Sequence, residues 1–444
     1  MTLILAHGLG GRSDLPVPLA LALWGGAAAV LVSFFALGAF WSSPRLRGET
    51  AGRPLPAALA AFFESGVART VVRAIALFMF LATLVISVIG SNSSASNPAP
   101  TWLYVWLWVG LVPLSLLFGP VWRVANPLRT VSAGLARLTG DPEGELTSPL
   151  PERLGLWPAT VSVVIFVWLE LVYDRADDPL TVFVFVAAYS LVHIVQAQRY
   201  GQAWYSRGDG FEVYSTLIGH LAPIGRRSDG QLVFRNPLDG LLAIERVPGL
   251  LGFVCVLLGS TAFDGLTRTP WWEDLSGQAE RGVNLLYGTL GLLGCIVAVA
   301  ATYIAATSFS GRFLPEDARR SEPVSGLFAH SLMPIAVGYT IAHYFSLLVF
   351  QGQAGYILAS DPLGDGSDLL GISDWRISYV VLSAAAIALV QVAAIVIGHI
   401  VGVASAHDRS VGLFQGANKT RAQYPLLLVM VLYTVAGIAL LVGS

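Results

Sequence analysis

Charge is what this sequence has least of. Asp, Glu, Lys and Arg make up 12% of its 444 residues while 55% are hydrophobic, and its mean hydropathy is +0.67; a soluble domain carries about a quarter charged residues. A soluble domain cannot hide so much apolar surface. The balance of 26 basic against 28 acidic residues leaves a net charge of −2, with no basic face to neutralise phosphates, which excludes nucleic acid as a partner. Lysine is nearly missing: Lys419 is the single one, and the other basic residues are arginine. Cysteine is scarce as well. Cys255 and Cys295 both fall in apolar runs, where a thiol behaves as a small buried hydrophobe, and neither a disulfide framework nor a CxxC metal motif exists. A P-loop, a dinucleotide fingerprint, HExxH and GxSxG are all absent, so nucleotide hydrolysis and the usual serine or zincin chemistry lack support. The opening MTLILAHGLGG has no basic residue before its short apolar run, and that run is too brief for a signal peptide. Either the chain starts outside the membrane unaided or its start has been trimmed.

What is present is a series of long apolar stretches. A helix needs about 20 mainly apolar residues to cross a bilayer core, and about ten stretches qualify, near 17–40, 71–90, 102–120, 155–173, 180–197, 248–266, 283–308, 325–349, 377–403 and 424–443. The expected fold class is all-α, a polytopic transmembrane helical bundle forming one integral membrane domain in the plasma (inner) membrane. Arginine distribution orients it, because cytoplasmic loops hold the excess of basic residues. With both termini outside, all basic residues fall on the inner side except Arg12, Arg175, Arg268, Arg281 and Arg376. Trp102, Trp271, Trp272 and Trp375 then flank outer ends, and Trp41 and Trp122 inner ends, as interfacial aromatics do. The long inner loop, 198–247, contains FEVYSTLIGHLAPIG, which suits a helix at the interface or packed under the bundle. Its NPLDG echoes an earlier NPLRT, too short a match to establish a repeat. The outer loop 350–376 gathers Asp361, Asp365, Asp368 and Asp374 with glycines, a spacing unlike that of an EF-hand.

Ionisable residues inside the spans are costly, roughly 2.5–3.5 kcal/mol each on insertion scales, and mark functional sites by default. Orientation sorts them into two layers. His193, His330 and His399 lie in the inner half, on three different spans, where imidazoles at similar depth are able to share a zinc or a haem iron. Glu170, Asp264 and His343 lie in the outer half, a nitrogen and carboxylate set of the kind a hydrolytic metal site uses. Tyr189, His193, Gln196 and Tyr200 form one polar stripe, and Tyr339, His343 and Ser346 another. Asp264 and Arg268 are spaced for a helix-end ion pair. Pro334 should free the carbonyl of His330 and kink its helix. Gly398 and Gly402 flank His399 in a GxxxG pair that admits a second helix at close range.

The segments AHGLGGRSDLPVP, RYGQAWYSRGDGFEVYSTLIGHLAPIGRR, RNPLDGLL, AHSLMPIAVGYTIAHYFSLLVFQGQ and GHIVGVASAHDR resemble a family of bacterial, especially actinobacterial, integral membrane proteins called fenitrothion hydrolase-like. The resemblance covers nearly the whole chain and implies a membrane-bound organophosphate-ester hydrolase. Its recurring ionisable positions correspond to His7, His220, His330, His343, His399 and His407. The leading expectation is therefore a metal-dependent membrane hydrolase. Zn²⁺ would be held either by an inner set of His193, His330 and His399 or by an outer His343 with Glu170 and Asp264 as ligand or general base, His7 folding down as an extra ligand; only one layer need be active, on a small-molecule or ion substrate. A transporter with a His/carboxylate relay is the alternative, and a haem-bearing redox protein the third class. His330 and His343 cannot share one iron, since 13 residues of helix separate them by nearly 20 Å.

Overall fold

The computed structural model describes residues 18–141, 147–277, 279–314, 323–416 and 418–442. Ten helices in it are long and apolar enough to cross a membrane: Leu19–Phe40, Gly66–Ile89, Ala99–Phe118, Glu152–Leu171, Pro179–Gly208, Leu250–Thr267, Arg281–Gly311, Val324–Ser360, Ala384–Leu413 and Asn418–Leu441. They are numbered here first to tenth. The all-α polytopic bundle expected from the apolar stretches is what forms, and each expected stretch coincides with one span. The protein is a multi-pass membrane-embedded helical protein.

Residue contacts group the chain into two compact units. One comprises the described residues through Ala51, Asn236–Ser346, and those from Val380 on; the other comprises Gly52–Arg235 and Leu347–Tyr379. In the former, the sixth span is the centre. Phe253, Val254, Cys255, Val256, Leu257 and Leu258 are all buried, the pattern of a helix enclosed on every side. Small residues let its neighbours in: a Cβ on Gly259 would sit 2.5 Å from the Ile296 backbone of the seventh span, and one on Gly265 would sit 2.9 Å from Leu440 of the tenth. The first span packs on the ninth and tenth through Ala22, Ile395 and Ile438.

The eighth and ninth spans approach through the expected glycine pair. A Cβ on Gly398 would lie 2.6 Å from the Pro334 carbonyl oxygen and one on Gly402 2.7 Å from that of Ser331, while Gly338 meets the Ala394 carbonyl in the same way at 2.5 Å. The expected kink at Pro334 does not form as such. Ala329–Leu332 is a 3-10 turn whose His330 carbonyl is taken by the Met333 N–H, and a regular helix starts at Met333. Pro334 thus stands in a first turn, where its missing N–H costs nothing.

In the second unit a short helix, Gly210–Gly219, is buried along nearly its whole length among Leu111–Phe118, Val121–Ala125 and Trp157–Leu171. Of the two placements open to the long loop, burial within the protein is the one adopted. Trp108 stacks on Tyr214 at 4.3 Å between centroids, and Phe166 meets Trp108 at 4.8 Å and Phe211 at 5.1 Å. Three short antiparallel strands, β1 (Arg53–Pro54), β2 (Ile224–Arg226) and β3 (Leu232–Phe234), form a small sheet in the order β1-β3-β2. The two NPL segments are explained locally: Asn126 and Asn236 each accept the N–H two residues on and place proline at the first helical position. They are two copies of one helix start, not a repeat. In the acidic loop, Asp361 accepts the Asp365 and Gly366 N–H groups, and Asp368 accepts those of Ile372 and Ser373, so these carboxylates close turns.

The glycine contacts generate a test. Gly398→Ala forces a methyl against a carbonyl and should cost about 1–3 kcal/mol of stability, whereas Gly294→Ala on the seventh span, with nothing within 4 Å of the new Cβ, should be neutral or slightly stabilising. Thermal unfolding in detergent checks both; equal midpoints for the two variants would contradict this packing.

Candidate functional site

The sixth span ends in an Asp264 to Arg268 pair one turn apart, Arg268 Nη2 standing 3.3 Å from Asp264 Oδ1. The expected ion pair is present, and it has a third member. His343 of the eighth span brings its Nε2 into hydrogen-bond contact with the other carboxylate oxygen, Oδ2. The same Nε2 is 3.0 Å from Arg268 Nη2. Asp264 and His343 are 5% and 4% exposed, so the three groups meet where water competes little and their interactions are strong. Beside them is a cavity of about 10 Å³ bordered by Thr261, Tyr339, Ala342 and His343, about the smallest space that holds one water molecule.

The other sequence candidates are placed separately. His193, in the second unit, is committed on both ring nitrogens. Trp204 Nε1 donates to its Nδ1 at 2.9 Å, and because an indole only donates, the ring proton lies on Nε2, which faces Ser162 Oγ at 3.4 Å. His399 shares its Nδ1 proton with the Ile395 carbonyl at 2.9 Å, and its buried Nε2 has no hydrogen-bond partner; the same is true of His330 Nε2. His330 sits at the level of Ser405 on the ninth span, since the Ser405 backbone reaches its ring. His399 is six residues from Ser405, about 9 Å of helix rise. An inner three-imidazole ligand set is therefore a correction: among the described residues no three His, Cys, Asp or Glu side chains come together to hold a metal ion. Glu170 lies on the fourth span in the second unit, close enough to Tyr104 to act on it electrostatically. His7 lies outside the described residues. His407 is a helix clamp, its Nε2 2.9 Å from the Trp41 carbonyl and its Nδ1 2.8 Å from Gln423 Oε1.

Zinc does not fit the Asp264 and His343 pair either. Both would-be ligands already touch a guanidinium, whose fixed positive charge opposes a dication at the same place.

A buried network that the sequence reading passed over lies in the second unit. Asp209 caps the Gly210–Gly219 helix by accepting the Phe211 and Glu212 N–H groups, and also accepts from Tyr189 Oη at 2.7 Å and Asn126 Nδ2 at 2.7 Å. Glu212 is held by Arg129 through two bonds of 2.6 Å, a bidentate pair. Its signal is legible in DGFE, an N-cap acid followed three residues later by Glu, within the long loop between the fifth and sixth spans. Tyr189 of the first polar stripe turns its hydroxyl to Asp209 and to the Gly210 N–H.

Comparison with known proteins adds no relative. Scans of protein-family models, curated proteins and solved structures each returned no match.

Burial pushes the Asp209 carboxyl above its ordinary value of 3.8, outweighing the four hydrogen bonds that pull it down. A raised folded-state value means that stability is fully present below the unfolded value and is lost as pH rises through the folded one. The thermal midpoint of the wild type should accordingly fall relative to that of Asp209→Asn as pH is raised from about 4 to 7. A difference that moves the other way would contradict the assignment.

Proposed function

We propose that the chain is a proton-linked permease of the plasma membrane for a small solute or ion, with Asp264, His343 and Arg268 as its proton-exchange site. The observation that carries this reading is the double reach of one nitrogen: Nε2 of His343 touches both Asp264 Oδ2 and Arg268 Nη2. A guanidinium only donates and a carboxylate only accepts, so the nitrogen satisfies one of them at a time. In one arrangement Nε2 carries the ring proton and donates to ionised Asp264, and with Arg268 the site is neutral. In the other, Nε2 is bare and accepts from Arg268, Asp264 is protonated, and the ring proton is on Nδ1. The second arrangement holds one more proton. A proton taken up at Nδ1 and released from Nε2 to Oδ2 converts the first into the second, which is how an imidazole relays protons. Intramembrane proton relays of His and carboxylates mark pumps and transporters.

The metal-dependent hydrolase has no ligand set among the described residues to stand on.

The reading is tested by reconstituting the full chain on a solid-supported membrane and recording charge movement after a pH step. Wild type should give a transient displacement, and Asp264→Asn and His343→Gln, verified as folded by their thermal midpoints, should lose most of it. A wild type that moves no charge, or an Asp264→Asn variant that moves as much, overturns the proposal.

A further inference from the structure

Arg268 gives only part of itself to the buried site. Its Nη2 stands 3.3 Å from Asp264 Oδ1 and 3.0 Å from His343 Nε2, while its Nε and Nη1 have no partner among the described residues. The Arg268 side chain is 22% exposed where that of Asp264 is 7%. It stands at the C-terminal cap of the sixth span, just before the short helix Pro270–Ser276, whose Glu273 and Asp274 are exposed and place this end of the span at water. The guanidinium therefore keeps donors for a group arriving from solution while it touches a proton site sealed from it.

The charge balance of the site depends on Asp264. Among the described residues Asp264 is the one carboxylate paired with Arg268; Glu273 and Asp274 form no ion pair with it. The ninth and tenth spans present only Ile395, Gly437, Leu440 and Leu441 to the cavity beside His343, and the eighth adds Tyr339. With Asp264 ionised, its charge cancels that of Arg268. Once the proton is on Asp264 and the imidazole is neutral, the guanidinium, which does not deprotonate, is left as an uncompensated cation at the edge of an apolar bundle. Such a charge is costly without a partner. The negative end of the helix dipole favours it in both states and leaves the difference between them unchanged.

We infer that the solute carried with the proton is a small monovalent anion, held by the open donors of Arg268 when Asp264 is protonated. One proton and one such anion restore the neutrality that the site has with Asp264 ionised; a dianion overshoots it, and a cation adds repulsion. Proton and anion then tighten each other's binding by the same factor. The inference rests on proton exchange at Asp264 and adds to it the class of cargo.

The probes are methanesulfonate and chloride, which stay ionised throughout, titrated as sodium salts into the full chain in detergent with ionic strength held constant by sodium sulfate. The thermal midpoint reads binding. Wild type should be stabilised, with an apparent affinity roughly tenfold tighter at about pH 5 than at about pH 8. Response to methanesulfonate alone assigns an oxyanion and response to chloride alone a halide, and either supports the inference. Asp264→Asn, which copies the neutral acid, should bind tightly at both pH values, a gain that a folding defect does not imitate, and Arg268→Gln should lose the response. On the solid-supported membrane, the charge displaced by an acid step should shrink when the responding anion replaces sulfate in the acidic solution. Anion affinity that is independent of pH in wild type, or still dependent on pH in Asp264→Asn, overturns the inference, and so does a displacement that the anion leaves unchanged; in each case proton exchange stands as long as the acid step moves charge. A wild type that moves no charge overturns both.

Discussion

One carboxylate, shared by an imidazole and a guanidinium inside an apolar bundle, is the constraint on which the first unit depends. Removing a charge from water costs several kcal/mol even after relaxation, and only close partners return it. Two of Asp264's partners are charged or ionisable side chains. Arg268 follows on the same span by one turn, and His343 arrives from the eighth. The surrounding helices must hold those two spans in register, and the glycines do so: Gly259 and Gly265 set the sixth span against the seventh and tenth, while Gly338, Gly398 and Gly402 set the eighth against the ninth. Packing in lipid relies on such close approach because apolar side chains gain little by leaving an apolar solvent.

The second unit solves a related problem with different chemistry. A short helix buried among membrane spans must satisfy its own first N–H groups, since lipid supplies no acceptor. Asp209 does this for Gly210–Gly219. Its charge then needs donors, which Tyr189 and Asn126 provide, and Glu212 is neutralised by Arg129. The polar groups of this network thus satisfy one another.

Much of this was legible in the sequence because the strongest signals are local. Twenty-residue apolar runs forecast each span, the GxxxG pair forecast the contact at His399, and the spacing of Asp264 and Arg268 forecast their ion pair. Depth alone misled about the inner histidines. Equal depth along the membrane normal does not bring side chains together, and His193 had an indole partner eleven residues on that a stripe pattern does not reveal. Pro334 was read as an interruption because the 3-10 turn before it, which moves the helix start to Met333, leaves no mark in hydrophobic periodicity. The Asp209 network is hidden for the opposite reason: its members, Asn126, Arg129, Tyr189, Asp209 and Glu212, come from three segments far apart in the chain, and the N-cap pattern that announces one of them lies in a long loop between spans. His343 and Asp264 were paired by layer, but the part of Arg268 in contacting both depends on side-chain geometry.

The central claim is that Asp264 and His343 exchange a proton in place. Infrared difference spectroscopy of the full chain in lipid, between acidic and neutral pH and with Asp264→Asn as the reference, observes that event directly. The account predicts a protonated-carboxyl band that appears on acidification, is missing in Asp264→Asn, and appears together with a change in the His343 ring modes identified by their loss in His343→Gln. A carboxyl signal assigned to Asp264 that stays ionised throughout, while the His343 ring titrates alone, would contradict it.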